Sequence, residues 1–268
     1  MNIEKIGNIK LPENFKLILK RFEDKFGDDG FSKLASYIGF DWVTNKEEVR
    51  DYELVPFEAE LPFPTGSNGE YMGWLNLCPN QIEFKKLFIC WVPLGEHIFY
   101  HGSDINEILE NSVERLHSPN YEDIDLEFLK KLRAIPQNAK KVKLINYEDE
   151  PLNKIELILP KGFQYEITID GVGIIAKKDF FSTVHKYEQT ELSISRYIEV
   201  AKENLYKSYY ATTLFFLKEG YYRNFFKSDR QEQILEILKL KEETYIKLEM
   251  EEAAKQVKNE IERRKPSI

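Results

Sequence analysis

The sequence predicts an α+β fold: a mixed, mainly antiparallel sheet with flanking helices, followed by a small β-meander and a C-terminal helical region. Three observations predict it. Apolar residues at helical spacing open and close the chain, and β-prone segments lie between them. Turn-forming residues separate these segments. At 268 residues, with 13% aromatic side chains, the chain is long enough to bury a sizeable core.

Two helices are predicted near the N-terminus. Pro12 fits the first turn of a helix that runs to Phe26, and the apolar residues between them form one stripe. The sequence Gly-Asp-Asp-Gly at 27–30 ends this helix, and a second is predicted over 31–38. Strands are predicted next, at 52–61, 71–77, 84–92 and 97–101.

The middle of the chain predicts two more helices and a boundary. Asp104 and Glu107 form a capping box for a third helix. A short helix is predicted over 123–132. The sequence Ile-Pro-Gln-Asn at 135–138 is typical of a joint, so a first domain is predicted over 1–135 and a β-hairpin plus helical extension over 136–268.

The C-terminal half returns to strands and then to helices. Four β-prone runs follow residue 141, and Asp170-Gly171 between the last two predicts a hairpin. After Ser193 the chain is predicted to be helical, with Gly220 as a C-cap. The last helix is predicted over 228–264, about 50 Å long if unbroken. No repeat at a fixed period is found.

The net charge of −8 comes from one region, because residues 51–110 hold ten acids and two bases. This charge repels nucleic acid and favours a basic partner, although a solvated acidic surface is the simpler interpretation. Two cysteines and the lack of an apolar leader or spanning segment predict a cytoplasmic protein without a disulfide framework. The acids are Asp51, Glu53, Glu58, Glu60, Glu70, Glu83, Glu96, Asp104, Glu107 and Glu110.

No catalytic, metal or cofactor site is predicted. The sequence GVGIIA at 171–176 has the letters of a dinucleotide-binding motif, but a β-prone run follows where a helix is needed. Cys78, Cys90, His97 and His101 lack the spacing of a zinc site. The aromatic residues at 206–226 could stack on bases, but aromatics at helical spacing are usually core.

Three pieces of sequence occur in order in the N-terminal half. They are LPENFK at 11–16, LVPF at 54–57 with the glycines at 66–69 and YMGW at 71–74, and IFY at 98–100 followed by 103–109. They resemble, in turn, the opening helix, the strands, and the closing strand and helix of the SUKH superfamily, which includes fungal cell-wall assembly regulators and bacterial immunity proteins. The pieces span about residues 1–120; the usual Asn-Gly after the first helix is replaced, and 60–64 resembles an insertion.

The resemblance implies a non-catalytic protein-binding module, an immunity or regulatory protein that binds a basic partner such as a toxin or nuclease domain. An acidic face would occupy the basic cleft of such a partner. No membrane contact is predicted, and nucleic acid is disfavoured as a partner. The residues predicted to bind the partner are Glu58, Glu60, Glu70, Trp74 and Glu96.

The C-terminal segment LEMEEAA at 248–254, with Glu260-Ile261, resembles the UVR motif, a helical hairpin that mediates protein contacts. It departs from that motif at Lys258-Asn259. Two alternatives therefore stay open beside the immunity hypothesis. One is an enzyme of unrecognised type, and the other is an adaptor that acts through the C-terminal helices. The sequence identifies neither the partner nor the oligomeric state.

Overall fold

The computed structural model shows an α+β protein, as the sequence predicts. The described part of the chain contains the elements discussed below and leaves out the predicted elements at 104–158. It consists of residues 5–6, 9–10, 13–38, 55–64, 71–77, 87–92, 97–102, 159, 161–184 and 191–264.

The chain divides into two compact units. The first comprises Met1–Glu53, Glu60–Leu75 and Lys85–Pro151. The second comprises Leu54–Ala59, Asn76–Phe84 and Leu152–Ile268. Two short segments of the N-terminal half therefore group with the C-terminal half. The joint predicted at 135–138 lies outside the described residues.

The first unit opens with a short hairpin and two helices. Strands β1 (Lys5–Ile6) and β2 (Ile9–Lys10) pair antiparallel. Helix α1 (Glu13–Phe26) and helix α2 (Gly30–Ile38) match the two predicted helices. Their apolar stripes are buried as helical spacing requires. A single 3₁₀ turn joins the helices.

A four-stranded sheet follows in the strand order β3-β4-β5-β6. The pairs β4/β5 and β5/β6 are antiparallel, so the strands form a meander in sequence order. The strands are β3 (Ala59–Pro64), β4 (Tyr71–Leu75), β5 (Leu87–Val92) and β6 (His97–Gly102).

Aromatic side chains make the core of the first unit. Trp74 of β4 contacts Phe15 of α1 edge-on, with ring centroids 5.4 Å apart. Phe63 and Phe88 lie 5.4 and 5.6 Å from the same indole. Such pairs add about 0.5–1.5 kcal/mol each to the effect of burial. Helix α1 is therefore held against the sheet by aromatic packing.

The second unit begins its described C-terminal part with a small hairpin. Strands β7 (Phe163–Glu166) and β8 (Ile174–Lys177) pair antiparallel, and Asp170-Gly171 lies in the connection, as predicted. Because the last three residues of the GVGIIA sequence lie in β8, where a dinucleotide site needs a helix, that motif is part of a β-hairpin.

Four helices complete the described part of the second unit: α3 (Ile194–Tyr206), α4 (Tyr210–Asn224), α5 (Gln231–Lys247) and α6 (Glu251–Arg264). Ser193 caps α3 by accepting a hydrogen bond from the Arg196 N–H. The prediction that Gly220 is a C-cap is wrong, because this residue lies inside α4. A Cβ there would come 2.9 Å from the Cβ of Tyr197, so the glycine lets α3 and α4 approach closely. Among the described helices, none has the length and apolarity needed to cross a bilayer.

The predicted single helix over 228–264 is wrong, because the chain turns back between α5 and α6. Glu249 adopts a left-handed φ of 59°. The N–H groups of Glu249 and Met250 then donate to the last carbonyls of α5. These bonds end a helix in the Schellman manner. The helices α5 and α6 therefore form a helical hairpin.

The same turn joins α3 to α4, 41 residues earlier. Ser208, the counterpart of Glu249, has a φ of 62°. The bonds from Ser208 to Leu205 and from Tyr209 to Asn204 correspond to those from Glu249 to Ile246 and from Met250 to Tyr245. The backbone thus contains a repeat that the sequence did not reveal. Over 194–223, only Glu219/Glu260 and Arg223/Arg264 are identical pairs.

Those two identical pairs make the same contact in each hairpin. Arg223 contacts Glu219 at 3.1 Å, and Arg264 contacts Glu260 at 2.6 Å, one helical turn apart in both cases. The first helices of the hairpins lie side by side, since Lys202 of α3 contacts Glu236 of α5 at 2.5 Å. We call α3–α4 the first helical hairpin and α5–α6 the second.

Candidate functional site

Helix α4 is the central element of the second unit, and its residues from Ala211 to Tyr221 are all buried. It contacts α3, α5 and β8. Two charged residues, Lys218 and Glu219, lie in this buried stretch. An isolated charge in a protein interior is strongly unfavourable unless it is paired. The partners of these two residues therefore define the candidate site.

Glu219 fastens the β7–β8 connection to α4. Its Oε1 accepts a hydrogen bond from the Ile169 N–H at 3.0 Å, and its Oε2 contacts Arg223 Nε at 3.1 Å. Burial raises the pKa of Glu219, and the bond from Arg223 opposes that rise. The contact positions the neighbouring Asp170 beside α4.

Lys218 lies between two carboxylates. Its Nζ is 2.7 Å from Glu58 Oε1 and 3.0 Å from Asp170 Oδ2. Its burial lowers the pKa, but the charges of Asp170 and Glu58 outweigh that effect and hold the pKa of Lys218 above its ordinary value. Lys218 therefore stays a cation throughout the ordinary pH range.

Asp170 is held in place by its own turn. Its Oδ1 accepts hydrogen bonds from the Thr168 hydroxyl at 2.6 Å and from the Val172 N–H at 3.2 Å. Burial raises the pKa of Asp170, but the Lys218 charge and the Thr168 bond overcome it and keep the pKa below its usual value. Gly173 has a φ of 75°, and a Cβ there would overlap the Tyr165 ring. The turn thus requires a glycine at this position.

Glu58 reaches the site from the short segment Leu54–Ala59. A β-turn forms where the Ala59 N–H donates to the Pro56 carbonyl at 2.9 Å, and Glu58 is a central residue of that turn. Its Oε1 accepts a hydrogen bond from the Tyr245 hydroxyl of α5 at 2.9 Å, in addition to the Lys218 contact. Its Oε2 is buried without a hydrogen-bond partner among the described residues.

A second buried lysine, Lys241 of α5, completes the site. Its Nζ lies 4.5 Å from the ring centroid of Phe57 and 4.8 Å from that of Tyr221. Aromatic faces attract cations at such distances. Burial nevertheless lowers the pKa of Lys241 to about 8; Glu58 opposes this shift and Lys218 adds to it.

We call Glu58, Asp170, Lys218, Lys241 and Tyr245 the ion cluster. It contains two carboxylates and two ammonium groups, so its formal charges balance when Lys241 is protonated. Burial, followed by the charges of Glu58 and Asp170, raises the pKa of Tyr245, which therefore remains a hydrogen-bond donor. A lysine with a pKa near 8 can act as a base, but Lys241 is only 2% exposed. The cluster therefore holds the turn at residues 56–59 against the helices.

The predicted partner-binding residues do not share one surface. Glu58 is only 3% exposed, so its predicted place on an acidic face is wrong: Lys218 and Tyr245 hold its carboxylate in the interior. Trp74, predicted as an apolar anchor, is also buried, because its indole is in the aromatic core of the first unit. Glu60 is half-buried, and Glu70 and Glu96 lie outside the described residues.

Sequence reasoning missed Asp170, Lys218, Lys241 and Tyr245 as a group. One signal was present, because Lys218 and Glu219 directly follow the apolar run LFFL at 214–217. A charged pair in a helix without a polar face indicates buried partners. Nothing in the sequence connects that pair to Glu58, about 160 residues away in the chain.

Four of the aromatic side chains at 206–226, and Cys90, are buried. Phe215, Phe216, Tyr221 and Phe225 are buried in the second unit, whereas Tyr206 and Phe226 are exposed. Cys90 is a buried cysteine in β5. Within the described residues, no three potential ligands are grouped so that they could hold a metal ion. No protein-family profile matches the chain, and a search of curated proteins finds no match.

Proposed function

We propose that this protein acts by binding another protein, and that the two helical hairpins of the second unit supply the contact surface. The observation that carries this proposal is the repeated hairpin, with the same turn and the same ion pair 41 residues apart. Stacked helical hairpins present extended surfaces to protein partners. The charged groups inside the stack are engaged with each other and with residues 56–59.

The exposed end of the stack offers an apolar contact. Tyr206, at the end of α3, is 91% exposed, and Ile246, in the last turn of α5, is 57% exposed. Because α3 and α5 run side by side, these two residues lie at the same end of the stack. Aromatic residues in protein interfaces often contribute much of the binding energy.

The resemblance to the SUKH superfamily adds a partner class to this proposal: a basic toxin or nuclease domain. The acidic excess at 51–110 supports it, with Glu60, Glu70 and Glu96 as the remaining predicted contacts. Attraction between an acidic face and a basic partner weakens as salt rises. The protein is then an immunity or regulatory protein of the cytoplasm.

The test is quantitative affinity capture from the native host with the full-length tagged chain, using Tyr206→Ser/Ile246→Ser and a control variant, Phe226→Ser. Phe226 is 67% exposed and follows the C-terminal end of α4, whereas Tyr206 precedes the N-terminal end of that helix. We expect at least one protein to be captured by wild type and the control, and its capture by the double variant to fall about tenfold, as for loss of an interface hot spot. Equal capture by all three proteins, or no capture, contradicts the proposal.

A second pair of variants tests whether the captured partner is a basic protein. Glu60→Lys is expected to reduce capture of a basic protein at low salt, whereas Glu232→Lys, an exposed acid on α5, leaves it unchanged. A captured partner with an acidic contact surface, or equal effects of both substitutions, excludes the immunity hypothesis and leaves the adaptor function through the helices.

A further inference from the structure

The turn Pro56–Ala59, itself part of the second unit, contacts the helices of that unit as a bound ligand would. It places Phe57 and Glu58 at its two central positions, closed by the bond from the Ala59 N–H to the Pro56 carbonyl. Both side chains are buried, at 7% and 3% exposure. A turn with an aromatic and an acidic residue at its tip combines an apolar anchor with a charge that fixes its orientation.

Three helices contribute contacts to this turn. Lys218 of α4 and Tyr245 of α5 hold the Glu58 carboxylate at 2.7 and 2.9 Å. The Phe57 ring lies 5.7 Å from the Tyr221 ring of α4, with the Lys241 ammonium on its face. Gln256 Nε2 of α6 donates to the Ala59 carbonyl at 3.3 Å. The helices therefore contact both central side chains of the turn and one of its backbone carbonyls.

Charge complementarity supports a binding site at this place. Without the turn, the ion cluster would contain two lysines, Lys218 and Lys241, and one carboxylate, Asp170. The excess positive charge would lie in a site lined by the Tyr221 and Tyr245 rings. A ligand that supplies one carboxylate beside one aromatic ring restores the balance, as Phe57 and Glu58 do.

We propose that the two helical hairpins and the β7–β8 connection form a receptor for a turn with an aromatic–glutamate pair, and that the chain's own Phe57-Glu58 occupies it in competition with such a turn on a partner protein. This inference rests on the proposed function, since it names the chemistry of a partner for the same helical stack. It differs from the immunity hypothesis because the recognised feature of the partner is a carboxylate.

The chain's own turn is covalently attached, so its effective concentration at the site is high. A separate peptide is therefore expected to bind the wild-type protein weakly. Emptying the site should raise the affinity. This difference makes the proposal testable with a short peptide.

The test uses the full-length variant Phe57→Ala/Glu58→Ala and a fluorescein-labelled peptide LVPFEAELP, the sequence of residues 54–62. Fluorescence anisotropy is expected to show that the variant binds the peptide at least about tenfold more tightly than wild type does. Peptides with Glu58→Gln or Phe57→Ala should lose about tenfold in affinity for the variant. The further substitution Lys218→Met should abolish binding.

The outcome that overturns the proposal is a folded variant that binds the three peptides equally or binds none of them. If the variant is unfolded by far-UV circular dichroism, the unaltered peptide should restore its helical signal and the Glu58→Gln peptide should not; no restoration also overturns the proposal. Protein capture that depends on Tyr206 and Ile246 would stand in either case. Failure of the receptor is therefore distinguishable from failure of the proposed function.

Discussion

The two helical hairpins share a backbone turn and an ion pair, but they differ at the positions that face the interior. Val200 and Asn204 of α3 correspond to Lys241 and Tyr245 of α5, and all four are buried. Lys218 of α4 corresponds to Asn259 of α6, which is exposed. The first helical hairpin thus supplies Lys218 of α4 to the ion cluster, and the second supplies Lys241 and Tyr245 of α5.

This difference follows from what packs on each helix. Helix α4 is covered by α3, α5 and the β7–β8 hairpin, whereas α6 contacts chiefly α5. A lysine at the centre of α4 therefore requires carboxylates within reach, and an asparagine on the outer face of α6 requires only water. One backbone arrangement can hold either residue, because the turn depends on its left-handed residue and its hydrogen bonds.

The largest effect is expected from removing the central cation. Lys218→Met should lower the free energy of unfolding by about 3–5 kcal/mol, because it leaves Glu58 and Asp170 buried without their shared counter-charge. Asn259→Met, at the corresponding position of the second hairpin, should change it by less than about 0.5 kcal/mol. Urea unfolding followed by far-UV circular dichroism measures both, and a similar loss in the two variants would contradict the comparison.

A smaller effect on the free energy of unfolding is expected from the titration of Lys241, whose counterpart in α3 is Val200. The pKa of Lys241 is about 8 in the fold and 10.5 ordinarily, so between these values the unfolded chain holds a proton that the folded protein has released. Stability from this group therefore rises with pH, by about 2 kcal/mol by pH 9.5, and is not affected below pH 8.

The variant Lys241→Met isolates this effect. It should lack the rise, so the difference in unfolding free energy between wild type and variant should change with pH in the window from about 8 to 10. The raised pKa values of Tyr245 and Lys218 affect stability only above about pH 10, because both groups keep their protons in the folded and the unfolded chain below that pH. Parallel pH profiles of the two proteins would show that Lys241 keeps its ordinary pKa.

The smallest effect should be equal in the two hairpins. Ser208 and Glu249 have left-handed φ values of 62° and 59°, a conformation that costs a side-chain-bearing residue about 1 kcal/mol relative to glycine. Ser208→Gly and Glu249→Gly should each raise the thermal midpoint by a few degrees, with additive effects in the double variant. Ser228→Gly, outside the turns, should give no gain. Unequal gains would indicate that the turns differ in strain.

Much of the fold was predictable because local patterns reflect local physics. The apolar stripes of α1 and α2 and the β7–β8 hairpin depend on residues a few positions apart. The residue pattern does not predict the break at Glu249, since neither glycine nor proline marks it and the helix-forming residues continue across it. Only the resemblance to the UVR motif implies a helical hairpin in this segment. The sequence predicts Gly220 at a helix end, whereas in the structure it lies inside α4, where Tyr197 leaves no room for a Cβ.

The candidate site was largely hidden from the sequence. The sequence predicts Glu58 as a partner contact because it lies in an acidic region, and charge alone does not distinguish a solvated carboxylate from a buried one. Its burial depends on Lys218 and Tyr245, which are far away in the chain. The apolar surroundings of Lys218 were the one usable sign of a buried partner.

The sequence by itself determined the α+β class, helices α1 and α2, strands β4 to β6 to within a few residues, and the hairpin at Asp170-Gly171. These features arise from side-chain periodicity and turn conformation, which act over short distances along the chain. Only the tertiary structure decided which charges meet, because Glu58, Asp170, Lys218 and Lys241 come from four separate segments. A buried charge is stable only beside its counter-charge, and folding brings those partners together.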